Sequence, residues 1–319
     1  MPNGRSFKSD ESFLEKLAIG ATGTKKVRQD LGRQGHQPIE LERGSASFKI
    51  WKAIKIKRIR VPDILCVKCG TRVESRAKTQ LEISMSHSVS DPERGWDASL
   101  ADEDYVALVR CERIGNRPID WRAADLVQYL SVKELRRAYA RKQVIVQKPK
   151  GAQEGFELRL TWPSAIASSD GKVLEAKCGC IKYARASDGR QITLQLVRNK
   201  LKLSPLVKKN EPVRADQFLA CVVPVIRSVP CSQQMKAREY LKLLGSVHHS
   251  DRYTAIKALS SFTEESVDRA LLNRLADEKE HIYIRLEAAL VLMRHGRAEG
   301  HRFLDRALQD EYLHIDWKL

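Results

Sequence analysis

The C-terminal part of the chain repeats itself. A forward step of 33 residues lays Arg252 on Arg285, Ala255 on Ala288, Leu259 on Leu292, Leu271 on Leu304, Leu275 on Leu308 and Asp277 on Asp310. Matches at a single offset, with the apolar ones at helical spacing, describe a helical hairpin used more than once. One such hairpin cannot bury its apolar stripe alone, so each pair must stack on its neighbour. The pattern predicts an all-α domain over 229–319, with room for three helix pairs and a start at 232–245.

Two regions of different periodicity precede the repeat. Over 151–228 the runs FELRLTW, KVLEAKCGCIKYA, RQITLQLV and FLACVVPVI are rich in β-formers. Ser168-Ser169-Asp170-Gly171 and Ser187-Asp188-Gly189 divide them with turn chemistry, which predicts a small, mostly β domain. Residues 1–150 read as mixed. A helix is expected over 12–33, weakened by Gly20 and Gly23. After a loop at Gly32–Gln37 come a strand over 39–43, a hairpin over 61–78, a buried strand over 105–111 and one or two helices over 121–142. That order points to a compact α/β unit.

Charge limits the partners. Lys and Arg total 57 against 40 for Asp and Glu, a net charge of +17. An excess of that size favours a polyanion, nucleic acid before an anionic membrane surface. It is concentrated in KIWKAIKIKRIR at 49–60, where Lys49, Lys52, Lys55, Lys57, Arg58 and Arg60 form a basic run. Ile54 and Ile56 alternate with Lys55 and Lys57, as in a strand with one basic face for phosphates. The structural alternative is a strand edge kept from aggregating by its lysines. No apolar run approaches the ~18 residues of a membrane span, and the first residues lack a signal-peptide core. Seven scattered cysteines, an odd number, suit a reducing compartment, so a cytoplasmic protein without a membrane partner is expected. The motifs GxxxxGK[ST], GxGxxG and GxSxG do not occur, which leaves nucleotide hydrolysis, dinucleotide binding and serine hydrolysis unsupported.

The stretch VPDILCVKCGTRVESRAK at 61–78 carries the chemistry. Asp63 follows a proline, and after the turn at Cys69-Gly70-Thr71 a second strand sets Glu74, Arg76 and Lys78 on one face. An acid on one strand, with an acid and bases on its partner, can hold a divalent ion beside a water for phosphodiester hydrolysis. With the helix and strand before it, the stretch resembles the PD-(D/E)xK nuclease superfamily. That resemblance implies an α/β restriction-endonuclease-like core in which Asp63 and Glu74 ligate Mg2+ (or Mn2+), with Glu42, or less readily Glu40, adding a carboxylate. The family places a lysine where this chain has Arg76. Arginine stays protonated and can clamp phosphate but not accept a proton, so Lys78 is assigned the base or water-side role. The structural alternative is a cross-strand ion pair on a solvated face.

Cys66-x-x-Cys69 and Cys178-x-Cys180 together hold enough sulfur for a tetrahedral zinc, which would join the first two regions. About a hundred residues separate the two pairs, so free thiols are the favoured reading. The C-terminal run RLEAALVLMRHG with FLDRALQD resembles HEAT repeats, which implies a surface for a protein partner. The whole reads as a metal-dependent DNA endonuclease of bacterial defence or DNA processing, acting singly or as a homodimer. Its alternatives are an inactive nucleic-acid-binding scaffold and a zinc-stabilised adaptor working through the repeat.

Overall fold

The structure, a computed structural model, describes residues 10–41, 59–148, 157–177, 179–231 and 233–309. Helix α1 (Asp10–Arg33) is followed by strands β1 (Pro38–Glu40), β2 (Ile64–Cys66), β3 (Arg72–Lys78) and β4 (Ile83–His87). Next come β5 (Tyr105–Arg113), β6 (Trp121–Ser131), α2 (Val132–Ala140), β7 (Ile145–Gln147) and β8 (Leu158–Trp162). Short strands then run through β9 (Ser164–Ile166), β10 (Gly171–Ala176), β11 (Cys180–Arg185), β12 (Gln191–Gln195), β13 (Val197–Arg198) and β14 (Leu201–Lys202). The β series ends with β15 (Ser204–Pro205), β16 (Pro212–Val213) and β17 (Phe218–Cys221). Five helices close the chain: α3 (Ala237–Leu243), α4 (His249–Leu259), α5 (Glu265–Ala276), α6 (Ile282–Arg294) and α7 (Ala298–Gln309). The fold is therefore mixed α/β with several small sheets and C-terminal helices.

Two compact units each draw on two stretches of chain: Met1–Gln34 with Arg72–Pro230, and Gly35–Thr71 with Cys231–Leu319. In the first unit β3 pairs parallel with β5, in the register Glu74 to Val106, Arg76 to Leu108 and Lys78 to Arg110. The neighbour of β5 on its other edge is β6, antiparallel. A core of Ile83, Val106, Leu108, Leu135, Leu160, Trp162 and Phe218 runs across the sequence boundary expected at 150. The short strands build a second core around Val173, Ile181, Tyr183 and Leu219. Under the sheet edge, Arg72 makes a paired contact with Asp104 at 2.9 and 2.8 Å, both side chains nearly sealed from solvent. Fork-to-fork geometry of that kind is what allows a charge pair to be buried.

The expectation of helix over 121–142 is corrected at its first half. Leu126, Val127 and Leu130 have helical spacing, so periodicity alone does not separate the two states. Strand β5 is buried along Val106–Val109 and has an edge whose amides and carbonyls need partners. Residues 121–131 supply them as β6, and the chain turns helical only at Val132. The helix expected over 12–33 forms without a break at its glycines. Gly23 sits where α1 meets β3, and a Cβ there would lie 2.4 Å from the Cβ of Ala77. Gly20 faces open space.

In the second unit β1 and β2 form a three-residue antiparallel ladder. The helical repeat emerges with its sequence period intact: α4 and α6 start at 249 and 282, α5 and α7 at 265 and 298. Ala255, Leu259, Ala288 and Leu292 are all fully buried. Gly300 marks the close approach of α6 and α7, since a Cβ there would lie 2.5 Å from the carbonyl of Ala289. The same core takes in Leu41, Val61 and Leu65 from the hairpin segment, beside Tyr240, Ile256 and Leu271. Among the described residues no helix is long and apolar enough to cross a membrane.

The two glycines of α1 give opposite expectations for one substitution. Gly20→Ala removes backbone freedom from the unfolded chain and stabilises by about 0.5–1 kcal/mol. Gly23→Ala overpacks α1 against β3 and destabilises by about 1–3 kcal/mol. Urea denaturation followed by tryptophan fluorescence distinguishes them; equal shifts of one sign would refute the packing described.

Candidate metal centre

Local geometry in the second unit turns four side chains toward one point. The chain enters through Gly35 at a φ of +86°, a conformation that favours glycine, and delivers His36 as a buried side chain. Pairing of β1 with β2 then sets Gln37 beside the turn that follows Cys66. The Val67 amide donates to the Gln37 carbonyl at 2.9 Å, and the Gln37 amide donates to Cys66 Sγ at 3.3 Å. The segment Cys66–Gly70 folds into a tight knuckle: Gly70 N donates to Cys66 O at 2.8 Å and Cys66 N to Thr71 O at 2.8 Å. Gly70, at a φ of +75°, is also where Met235 closes down; a Cβ there would lie 2.2 Å from Met235 Sδ.

The fourth residue comes from the start of the C-terminal segment. Met235 N donates to Lys68 O at 2.7 Å, and the Tyr240 hydroxyl donates to Val67 O at 3.0 Å. These bonds hold Met235 and Tyr240 against the knuckle, near Cys231. One donor atom from each of His36, Cys66, Cys69 and Cys231 lies within 4.8 Å of all the others. Cys69 Sγ stands 3.6 Å from His36 Nδ1. A tetrahedral ion with metal–sulfur bonds near 2.3 Å and a metal–nitrogen bond near 2.0 Å separates its donors by about 3.8 Å (S to S) and about 3.6 Å (S to N). The arrangement fits.

The electrostatics suit a cation as well. Hydrogen bonding from Cys66, and then from Thr71 whose hydroxyl lies 3.2 Å away, holds the Cys69 thiol well below its ordinary range against the effect of burial. The same bond, with burial, pushes Cys66 far upward, and burial followed by hydrogen bonding to Cys69 raises Cys231. A divalent ion held by these residues would favour their thiolate forms and take up the charge. The Gln37 amide on Cys66 is the kind of outer contact that orients a thiolate ligand.

The structure distributes the sequence-predicted residues as follows. Asp63 lies in the second unit between Pro62 and β2, where its main-chain carbonyl accepts from Leu41 N at 2.9 Å. Glu40 ends β1 opposite Ile64. Glu74, Arg76 and Lys78 belong to the first unit, at alternate positions of β3. Glu74 pairs with Arg76 at 3.0 Å. Lys78 Nζ donates to Ser84 Oγ at 3.0 Å and Ser84 O at 3.2 Å, with Glu82 at 4.0 Å. Burial pushes the Lys78 ammonium down; Glu82 opposes that shift, and the charges of Arg76 and Arg159 add to it. Arg60 is exposed. Glu42, Lys49, Lys52, Lys55, Lys57, Arg58 and Cys178 lie outside the described residues.

Cys66 and Cys69 are joined by His36 and Cys231, and Cys180, the first residue of β11, is not among the four. His36 precedes Cys66 by 30 residues and Cys231 follows Cys69 by 162, so no linear motif connects them. The available signals were Gly35-His36 just ahead of a strand and a cysteine at the entrance to the helical array.

Elemental analysis of protein purified without chelators provides the check. One equivalent of metal is expected in the wild type and in Cys180→Ser. Less than about a tenth of that is expected in Cys66→Ser and Cys231→Ser, because removing a ligand weakens binding beyond the 10–100-fold typical of losing a group that only orients one. Equal metal in all four proteins would remove the centre. No family model, curated protein or solved structure matches this chain.

Proposed function

We propose that this protein is a zinc-stapled nucleic-acid-binding protein whose helical repeat also serves a protein partner. The observation that carries the reading is the convergence of His36, Cys66, Cys69 and Cys231. Three thiolates and an imidazole select zinc over Mg2+, which prefers oxygen donors and water. Four protein donors leave no open coordination position, which is the pattern of a structural zinc rather than a catalytic one. A reducing compartment such as the cytoplasm keeps the thiols available. The net charge of +17 supplies the attraction for a polyanion. Helix pairs recurring every 33 residues support the HEAT-like reading of the C-terminal region.

Fluorescence anisotropy with a labelled DNA duplex tests this reading. The logarithm of affinity should fall linearly with the logarithm of salt, with a slope of about −0.9 per phosphate neutralised. Stripping zinc should lower stability by roughly 3 kcal/mol or more, the gain expected for a ligand held at about 100-fold to 1,000-fold above its Kd. Restored zinc should recover both stability and binding. Absence of duplex binding at low salt, or a stripped protein as stable as the holo form, would sink the proposal.

A second reading is favoured by the arrangement of β3. There Glu74, Arg76 and Lys78 share one face, and Lys78 is half-buried, with burial pushing its ammonium below the ordinary lysine range. A lysine in that state is closer to accepting a proton than a solvated one. On this reading the chain has a restriction-endonuclease-like core. Asp63, Glu74 and Glu42 hold Mg2+ or Mn2+, Arg76 clamps phosphate and Lys78 serves the water, in genome defence or DNA processing. Supercoiled plasmid in Mg2+ should be nicked by the wild type and at least about 100-fold more slowly by Asp63→Ala, Glu74→Ala and Lys78→Ala, the scale of a missing general base or electrostatic group. Unchanged nicking in the three variants eliminates this second reading.

A further inference from the structure

The hairpin of β5 and β6 ends in a tip, residues 114–120, that takes no part in the sites described above. Ile114 and Ile119 stand there 60% and 61% exposed. Isolated exposed apolar side chains are ordinary, but two on one tight turn need an explanation. The turn is braced. Ile114 N donates to Asp120 O and Asp120 N to Arg117 O, each at 3.0 Å, while the Asp120 carboxylate accepts from Arg117 N at 3.1 Å. Gly115 lies against that carboxylate so closely that a Cβ would sit 2.4 Å from it. Trp121 Nε1 donates to Pro118 O at 3.0 Å, and the Arg113 guanidinium lies over the Trp121 ring at 5.9 Å. The two isoleucines are thus presented on a rigid support, with little ordering left to oppose binding.

Arginines flank them on both strands. The side chains of Arg113, Arg117 and Arg122 are 45%, 74% and 68% exposed. Each has an acidic neighbour: Glu15 at 3.2 Å, Asp120 at 2.8 Å and Glu112 at 2.5 Å. Arg113 also donates to the carbonyls of Gly115 and Asn116 at 3.0 and 3.1 Å and so braces the tip. The exposed pairs of Arg117 and Arg122 contribute little and leave those cations available to phosphate. A two-stranded ribbon fits a DNA groove, and apolar side chains at such tips can wedge a base step open while cations take the backbone.

Resting on the nucleic-acid reading above, we infer that the β5–β6 ribbon is a duplex-DNA arm: Arg117 and Arg122 meet the phosphates, and Ile114 with Ile119 wedges a base step. The probe is a DNA duplex carrying 2-aminopurine, whose fluorescence rises on unstacking, read together with anisotropy. The wild type should bind and raise the fluorescence. Ile114→Ser/Ile119→Ser should bind at least about tenfold more weakly, as removal of two buried apolar side chains implies, and give no rise in fluorescence. Its salt dependence should be unchanged. Arg117→Ala/Arg122→Ala should reduce the magnitude of the salt slope by about 2, near 1 for each phosphate left unneutralised. All substituted positions are exposed, and thermal melting confirms that both variants fold. A wild type that binds duplex, with both variants binding and unstacking it equally well, overturns the arm while leaving the nucleic-acid reading in place. A defect confined to binding of a protein partner overturns it too. A wild type that binds no duplex removes the arm together with the reading it rests on.

Discussion

Four donor atoms from distant points of the chain, one each from His36, Cys66, Cys69 and Cys231, meet within 4.8 Å in the second unit. Around the ladder of β1 and β2, Leu41, Val61 and Leu65 join the core of the helical array, and Met235 and Tyr240 bond to the knuckle's carbonyls. Closing a loop of more than a hundred residues has an entropic cost that grows slowly with length but is large at the outset. Burying three sulfurs and an imidazole side by side adds a desolvation penalty. A bound cation would reverse the second cost and offset the first, which is the role proposed for the donor cluster.

The first unit is organised on a different principle. Several polar side chains of its sheet are held in pairs. Arg72 and Asp104 satisfy each other in near-complete burial, and Glu74 with Arg76, and Lys78 with Ser84 and Glu82, are paired beside the apolar core. Removing one member of a buried pair leaves an uncompensated charge, so such contacts constrain which strands can be neighbours. The helical array uses the same device. Arg252 grips Glu280 with two bonds at 2.7 and 2.8 Å, while Asp268 accepts from Arg297 and lies 2.6 Å from His295. Corresponding positions of the repeat diverge here: Arg285, the counterpart of Arg252, donates to the carbonyl of Leu275 instead. Apolar positions carry the period, and polar ones individualise each helix pair.

These differences explain how far the sequence could be read. Ala255, Leu259, Ala288 and Leu292 were legible as a helical repeat because burial of one stripe imposes a period that survives in the residues themselves. Residues 121–131 were not legible as strand, since their apolar spacing is compatible with a helix and the deciding factor is the open edge of β5. Glu74, Arg76 and Lys78 could be placed on one face from alternation alone, but the surroundings of Lys78 depend on Ser84 and Glu82, which no local pattern links to it. Cys66 and Cys69 were legible as a CxxC knuckle with a glycine after it, although free thiols were the favoured reading.

By itself, then, the sequence determined the basic character of the protein, its helical-repeat C-terminus, its strand-rich middle and a knuckle with two sulfurs. Periodicity, composition and short-range turn chemistry are properties of neighbouring residues, so they can be read in order along the chain. Only the tertiary structure decided that His36 and Cys231 join Cys66 and Cys69 in one cluster. It also decided that β5 draws β6 out of a helical pattern and that Ile114 and Ile119 remain uncovered. Each of those outcomes turns on which distant surfaces meet, and that is set by packing and hydrogen-bond satisfaction across the whole unit rather than by any local run of residues.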